Sequence, residues 1–261
     1  MFQNVIVKQP CHRIAEGITS SPELGKPDYE KALEQHCAYV KALEKTGAKV
    51  CVLEANDAFP DSCFVEDTAV LTSKCAIVTN PGADSRKDET AAIVPVLQHF
   101  FPKEVIEFIH APGTLEGGDV MMVRNHFYVG KSSRTNAEGI RQFLDILKKY
   151  GLSGSEVPLE HVLHLKTGVN YIENRNILVS GEFKNNSQFE SYQKIEIPEE
   201  EAYAANSIWM NGTVIVPQGY PQTEQLIRDA GYPVITVDAS EFRKIAVSYT
   251  HLRAHETSQD L

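Results

Sequence analysis

The sequence is short of basic residues and of long apolar runs, and each shortage excludes a class of protein. Lys and Arg number 25 against 35 Asp and Glu, a formal net charge of −10. This balance argues against a nucleic-acid-binding protein, which presents a basic surface. No apolar run approaches the roughly 20 residues that a membrane span needs. Residues 1–7 (MFQNVIV) lack the basic start and long apolar stretch of a signal peptide and indicate a first strand.

Cysteine is scarce and shows no paired spacing. The five cysteines include no CxxC pair. They are Cys11, Cys37, Cys51, Cys63 and Cys75. An odd number of cysteines without a secretion signal predicts free thiols in a reducing cytoplasm. Cysteine, histidine and acidic residues do not stand at the spacing of a zinc site, so we expect no metal.

What the chain does have is a repeated order of strand, turn, strand, helix and strand. Its 261 residues, 42% of them hydrophobic, suit one large globular domain or two small ones. Four copies of the unit begin near residues 68, 119, 167 and 207. A period of roughly 40–50 residues is typical of a propeller or an array. An open α/β sheet is the alternative.

The first segment holds only part of this unit. It has a strand at 5–7, a helix at 28–45 and a strand at 49–53. In a closed ring, the C-terminus is the natural donor of the missing strand. Residues 246–261 (AVSYTHLRAHETSQDL) are polar and without periodicity. We therefore expect an incomplete last module, an unpaired strand edge in the N-terminal unit, and a mobile segment from Ala246 onward.

Acidic residues gather where predicted strands begin. Asp61, Glu66 and Asp67 lie within seven residues (PDSCFVEDT, 60–68) and suit a cationic guanidinium, although a solvated turn is the alternative. Side chains alternate along a strand, so Glu66 and Asp67 are expected to point in opposite directions. Residues 115–120 (LEGGDV) place Glu116 and Asp119 around two glycines. Such glycines mark the close approach of another backbone or a ligand, and a β-bulge with solvated acids is the alternative.

Two further patterns suggest polar chemistry. Residues 161–167 (HVLHLKT) read as an apolar strand with His164 and Lys166 on one face. A strand histidine is usually a core group, but an acid nearby makes it a general acid or base. Arg86 and Arg134 stand near helix starts, where the positive dipole end suits an anion such as a substrate carboxylate. Ordinary surface arginines are the alternative.

Motifs in matching order cover most of the chain. They lie at residues 24–29, 59–67, 80–83, 111–119, 126–136, 163–168 and 197–201. On these motifs, residues 1–245 resemble the dimethylarginine dimethylaminohydrolases, particularly the bacterial form. The resemblance implies one pentein catalytic domain at 1–245, an α/β propeller of five ββαβ-type modules around a central site. It also implies hydrolysis of N-methylated arginine to citrulline and a methylamine, without a metal or organic cofactor. In that family a cysteine thiolate attacks the guanidinium carbon, and a histidine and a carboxylate assist.

The resemblance assigns roles position by position. His164 matches the acid/base histidine and Glu116 the carboxylate of the triad. Asp67 matches the acid facing the guanidinium, and Phe64 an aromatic wall. Asp61 and Glu66 match further acids that line the substrate site. Arg86 and Arg134 match arginines near the substrate carboxylate. Ile18 and Ile245 match positions that contact the amino-acid end of the substrate largely through their backbone.

The departure from the family comes after Ile245. The family continues with a glycine pair and a Ser-Cys nucleophile, whereas Ala246 follows here and no cysteine occurs after Cys75. His251 stands about where the cysteine belongs, and residues 246–261 look foreign. Cys63 is expected to be a buried, inert thiol. We therefore predict an inactive chain of dimethylargininase type that binds a small substrate, as a monomer or homodimer. The alternatives are an arginine deiminase-like hydrolase and a catalytically dead arginine-binding protein.

Overall fold

Five three-stranded sheets form the computed structural model, which describes residues 1–19 and 21–245 and the backbone of residues 253–257. Every sheet follows one plan: its central strand has an antiparallel neighbour on one side and a parallel neighbour on the other. A parallel neighbour requires a crossover connection, which is why a helical segment precedes each third strand. None of the described helices has the length and apolar character needed to cross a membrane.

The strands and helices are numbered in chain order. The strands are β1 Phe2–Lys8, β2 Lys49–Leu53, β3 Ala69–Leu71, β4 Ala76–Val78, β5 Ile106–Phe108, β6 Val120–Val123, β7 His126–Lys131, β8 Ser153–Pro158, β9 Val169–Tyr171, β10 Asn176–Val179, β11 Gln193–Glu196, β12 Ile208–Met210, β13 Thr213–Pro217, β14 Val234–Val237 and β15 Arg253–Thr257. The α-helices are α1 Tyr29–Lys45, α2 Thr90–Leu97, α3 Ala137–Lys149, α4 Leu165–Gly168, α5 Pro221–Asp229 and α6 Ser240–Arg243.

Four modules repeat the predicted unit along the chain. Their sheets are β3-β4-β5, β6-β7-β8, β9-β10-β11 and β12-β13-β14. Helices α2, α3 and α5 make the crossovers in three of them. In the third module the crossover contains the 3-10 turns Gly181–Phe183 and Ser187–Phe189 in place of the helix of the predicted unit. The repeats therefore build the predicted α/β propeller of ββαβ-type modules and not an open sheet.

The fifth module is assembled from both ends of the chain. Strand β1 is its centre, α1 crosses over to β2, and β15 pairs with β1 in the antiparallel position. Ring closure by the C-terminal part is therefore confirmed. The expectation of an unpaired β1 edge is wrong, because a strand edge can pair with the backbone of any extended segment, whatever its sequence. The mobility predicted from Ala246 onward falls largely on residues 246–252 and 258–261, which lie outside the described residues.

Short helical turns lead into the first strands of four modules and meet one another near the centre. They are the 3-10 turns Val65–Thr68, Gly117–Asp119 and Glu199–Asn206, together with the single turn of α4. The turn Val65–Thr68 contacts Gly117–Asp119, which contacts α4, and α4 contacts Glu199–Asn206. Polar residues that are far apart in sequence are thereby brought together.

Candidate active site

A buried histidine and glutamate form the centre of the candidate site. His164 Nε2 lies 2.8 Å from Glu116 Oε2, and the two residues are only 5% and 1% exposed. The other carboxylate oxygen, Glu116 Oε1, accepts hydrogen bonds from the backbone N–H groups of Gly82 at 3.1 Å and Ala83 at 3.3 Å. The glutamate is therefore held by a neighbouring module while it orients the imidazole.

His164 does not lie on a strand, and this part of the prediction is wrong. Residues 161–164 form an irregular loop, and α4 begins at Leu165. The carboxylate of Asp119 accepts the Leu165 N–H at 3.0 Å and so fixes the start of the turn. Sequence alternation could not show this contact, because its partners are 46 positions apart. The loop leaves the His161 side chain 80% exposed, outside the buried site.

Charge at the site keeps the imidazole protonated. Burial lowers the pKa of His164, but the carboxylates of Asp119, Glu116 and Asp67 more than reverse this effect and raise it to about 9. Burial also raises the pKa of Glu116, and the hydrogen bond from His164 reverses that effect, so that its net pKa is lowered. At neutral pH the pair is therefore an imidazolium beside a carboxylate.

Asp67 completes the cluster. Its Oδ1 accepts the Gly118 N–H at 2.9 Å, and its Oδ2 lies 2.7 Å from Arg86 Nη1. The ligand atoms of Asp67, Glu116 and His164 all lie within 4.8 Å of one another, a spacing that a metal ion could bridge. The hydrogen bonds already made by these atoms would have to break for metal binding, so the arrangement favours proton transfer. These three residues, which the sequence assigns to one central site, therefore lie together. The catalytic roles of His164 and Glu116 and the substrate-binding role of Asp67 stay predictions.

The glycines of residues 115–120 allow two backbones to touch. A Cβ atom on Gly117 would overlap the carbonyl oxygen of Glu66, so the predicted close approach is confirmed. Glu66 Oε1 lies 2.5 Å from Lys166 Nζ, whereas Asp67 faces Arg86. Glu66 and Asp67 thus have different partners, but the strand on which they were expected to alternate is a 3-10 turn. The Glu66–Lys166 ion pair was missed from sequence because it joins distant modules.

Arg86 differs most from its predicted role at the substrate carboxylate. Its guanidinium is buried and bonds Asp67, both oxygens of Glu89, and the carbonyl oxygen of Phe64 at 3.0 Å. Binding a substrate carboxylate would pull it from Asp67 or Glu89 and leave a buried charge uncompensated, which is costly. In this structure, Arg86 holds Asp67 in place.

Arg134 remains available to a ligand. Among the described residues, no carboxylate or carbonyl oxygen bonds its guanidinium, and its charge lowers the pKa of Asp61, which burial raises overall. Asp61 Oδ1 accepts the Ile18 N–H at 2.9 Å. The side chains of Asp61 and Ile245 both lie next to the position that a Cβ atom on Gly17 would occupy. Ile18, Asp61 and Ile245 are therefore gathered in one place, as the sequence predicts.

Apolar side chains pack beside the site. Phe64 is 2% exposed, and its ring packs edge-on against Phe242 at a centroid distance of 6.3 Å. The preceding residue, Cys63, is also buried, and burial raises the pKa of its thiol well above the ordinary value. Cys63 is therefore the inert thiol that the sequence predicts, because a thiol must ionise to react.

Comparison with known proteins gives consistent results. A family model described as "N,N dimethylarginine dimethylhydrolase, eukaryotic" matches residues 23–187. The N(G),N(G)-dimethylarginine dimethylaminohydrolase of Pseudomonas aeruginosa is 55% identical over 245 residues, which cover 94% of this chain and 96% of that protein. The enzyme of the same name from Streptomyces coelicolor is 33% identical over 93% of each chain.

Solved structures agree with this result. A cysteine-to-serine mutant of the Pseudomonas aeruginosa enzyme, complexed with citrulline, matches with a TM-score of 0.96 and 52% identity over 98% of this chain and 99% of that one. The N-terminal domain of ArgZ, a cyanobacterial arginine dihydrolase, matches with a TM-score of 0.84 over 99% of this chain and 98% of that one. Its identity is 17%, so it shows the fold alone. From the family model and the two curated relatives, the chain belongs to the dimethylarginine dimethylaminohydrolase family.

Proposed function

We propose that this chain binds N-methylated L-arginine at the His164–Glu116 site. The observation that carries the proposal is the buried His164–Glu116 pair with Asp67 beside it, in a chain closely related to enzymes of that name. A guanidinium is costly to desolvate except beside carboxylates, and Asp67 supplies one. The citrulline complex of a relative supports a ligand of the same shape.

The substrate's two ends have separate partners in this proposal. Asp67 faces the guanidinium, and Phe64 forms the wall beside it. Arg134 holds the α-carboxylate, because its guanidinium has no carboxylate partner among the described residues. Asp61 and the backbones of Ile18 and Ile245 contact the amino-acid end of the substrate. Glu66 lines the site while it is paired with Lys166. Arg86 holds Asp67 in position.

The reaction itself needs a nucleophile. In the proposed chemistry a cysteine thiolate adds to the guanidinium carbon, the bond to the methylated nitrogen breaks, and that nitrogen takes a proton from His164. Glu116 stabilises the imidazolium before transfer. Water then adds to the same carbon and gives a proton to His164, the carbon–sulfur bond breaks, and citrulline and the thiolate are released.

These 261 residues hold no cysteine after Cys75, and Cys63 is a buried thiol of raised pKa. We therefore propose that the chain binds its ligand without turning it over. We also propose that residues 246–261 are a foreign replacement of a segment that carries the nucleophile.

Citrulline formation from dimethylarginine tests both statements. The chain as it stands is compared with a version in which a Gly-Gly-x-Ser-Cys end follows Ile245. We expect no citrulline from the first and citrulline from the second. Citrulline from the unaltered chain at the rate of the restored one would contradict the assignment of the nucleophile.

Two other functions remain to be separated from this one. An arginine deiminase-like enzyme would, once restored, convert free arginine faster than dimethylarginine. A catalytically dead arginine-binding protein is favoured by the missing cysteine, and it would bind arginine tightly while the restored version stays inactive. Calorimetric titration of the unaltered chain with arginine and with dimethylarginine, together with the citrulline assay, distinguishes the three functions.

The five unpaired thiols support a cytoplasmic location as part of the same proposal.

A further inference from the structure

Asp119 is a buried carboxylate whose partners are all uncharged. It is 0% exposed, and among the described residues no Lys or Arg forms an ion pair with it. Its Oδ2 accepts the hydroxyls of Ser132 and Thr135, each at 2.7 Å, and its Oδ1 accepts the Leu165 N–H at 3.0 Å. Burial raises the pKa of the Asp119 carboxyl, and the charge of His164 and these hydrogen bonds oppose that effect. Burying a carboxylate at this depth is expensive, so the position needs a reason.

The hydrogen bonds of Asp119 reach both members of the catalytic pair. Leu165 directly follows His164, so the bond to its N–H fixes the backbone on the histidine side. On the other side, Thr135 Oγ1 donates to Asp119 and accepts the Glu116 N–H at 3.1 Å. One carboxylate therefore ties together three segments, 116–119, 132–135 and the start of α4.

We propose that Asp119 is the positioning residue of the His164–Glu116 pair, holding both backbones and placing a third negative charge beside the imidazole so that it stays an imidazolium. This proposal rests on the proposed function and explains why a carboxylate, instead of a neutral acceptor, occupies the position. An asparagine could accept the same N–H group but would leave His164 with less negative charge around it.

The charges around His164 favour this role. The carboxylates that face it are Asp67, Glu116 and Asp119. Asp67 is paired with Arg86, and Glu116 accepts a hydrogen bond from the His164 ring directly. Asp119 forms no ion pair with a Lys or Arg in the part of the chain that the structure describes, and its charge raises the pKa of His164. A histidine that enters the reaction protonated can protonate the departing amine without first collecting a proton from water.

NMR titration of histidine-labelled protein tests the proposal in the 261-residue chain. Asp119→Asn preserves size and an acceptor for the Leu165 N–H but removes the charge, and we expect the pKa of His164 to fall by about one unit or more. The matched control is Glu201→Gln, which alters another buried carboxylate that accepts the Gln222 and Thr223 N–H groups and the Thr223 hydroxyl. We expect this control to leave the His164 titration unchanged.

Thr135→Val provides a second test if Asp119→Asn fails to fold. It keeps the charge of Asp119 but removes the link to the Glu116 N–H, so it should loosen the Glu116–His164 hydrogen bond and lower the pKa of His164. An unchanged pKa in a folded Asp119→Asn protein, or in Thr135→Val, would overturn the proposal. Neither NMR result depends on citrulline formation. A failure of the proposed function would appear in the citrulline assay and not in these titrations.

Discussion

The protonated state of His164 links the stability of the protein to pH. Its pKa is about 9 in the folded protein against about 6.5 for an ordinary histidine. A group with a raised folded pKa stabilises fully below its unfolded pKa and loses that contribution as pH rises through the folded value. We therefore expect the free energy of unfolding to fall between about pH 6.5 and 9, by about 3 kcal/mol at most.

Urea denaturation at a series of pH values measures this fall in the free energy of unfolding, the pH slope. His164→Gln should remove most of the pH slope, because no titrating imidazole remains beside Glu116. The control is His161→Gln, three residues earlier, whose side chain is exposed. If His164→Gln keeps the full slope of the parent protein, another group is responsible.

Arg86 and Arg134 are expected to differ in function, although both were predicted from sequence to bind the substrate carboxylate. Arg134→Ala should weaken binding of methylarginine by about 1.5–3 kcal/mol, because a charge-assisted contact to the carboxylate is lost. Binding of methylguanidine, which has no carboxylate, should not change. Arg141→Ala, which alters an exposed arginine paired with Glu138 and Asp145, is the control for both ligands. Equal losses for the two ligands in Arg134→Ala would exclude its carboxylate role.

Arg86→Ala should instead destabilise the fold. It leaves Asp67 and Glu89 buried without their cation, a change that costs about 3–5 kcal/mol. Calorimetric binding and denaturation on the same samples separate the two effects. A stable Arg86→Ala protein that loses methylarginine but keeps methylguanidine would restore the role first predicted for Arg86.

At the scale of elements, local pattern explains most strands and long helices. Alternating apolar residues and turn signals located the modules, and Asp28 caps α1 by accepting the Lys31 N–H at 2.8 Å. The predictions failed where a distant contact sets the backbone. The run before Leu165 has a strand-like sequence, yet Asp119 and Glu116 from another module fix it as a loop and turn. The acids and histidine of the site were recognisable from sequence, whereas the partners that fix their geometry were not.

The turn Gly117–Asp119 is the element in which a single methyl group should have the largest effect. Gly117→Ala would force its Cβ into the carbonyl of Glu66 and separate two turns that carry site residues. We expect a loss of stability of about 2 kcal/mol or more and a weaker Glu116–His164 hydrogen bond. The comparison is Gly25→Ala, where φ is +79° but no atom lies within 4 Å of a Cβ. Gly25→Ala therefore measures the cost of a left-handed backbone alone. A Gly117→Ala protein that melts no lower than the parent would show that the two turns can separate freely.

At the scale of the whole molecule, the ring closes through backbone pairing between the two ends of the chain. The sequence indicated that the first module lacked a strand and that the C-terminal part should donate it. The sequence could not indicate that residues 253–257 would form this strand, since their pattern is not strand-like and the pairing depends on the edge of β1. Ring closure by the last strand is thus independent of catalysis, because backbone pairing can complete the fold whether or not the C-terminal segment carries a cysteine.

This separation predicts a measurable difference between two shortened chains. A chain ending at Ile245 removes β15 and exposes the β1 edge, which pairs with it from Phe2 to Val7. Losing several backbone hydrogen bonds at about 0.5–1.5 kcal/mol each should lower the free energy of unfolding by about 2 kcal/mol or more. A chain ending at Thr257 keeps β15 and is the matched control, expected to unfold like the parent. Denaturant titration measures all three proteins. Equal stability of the two shortened chains would mean that residues 253–257 add nothing to ring closure, and that the ring of modules holds together without its fifteenth strand.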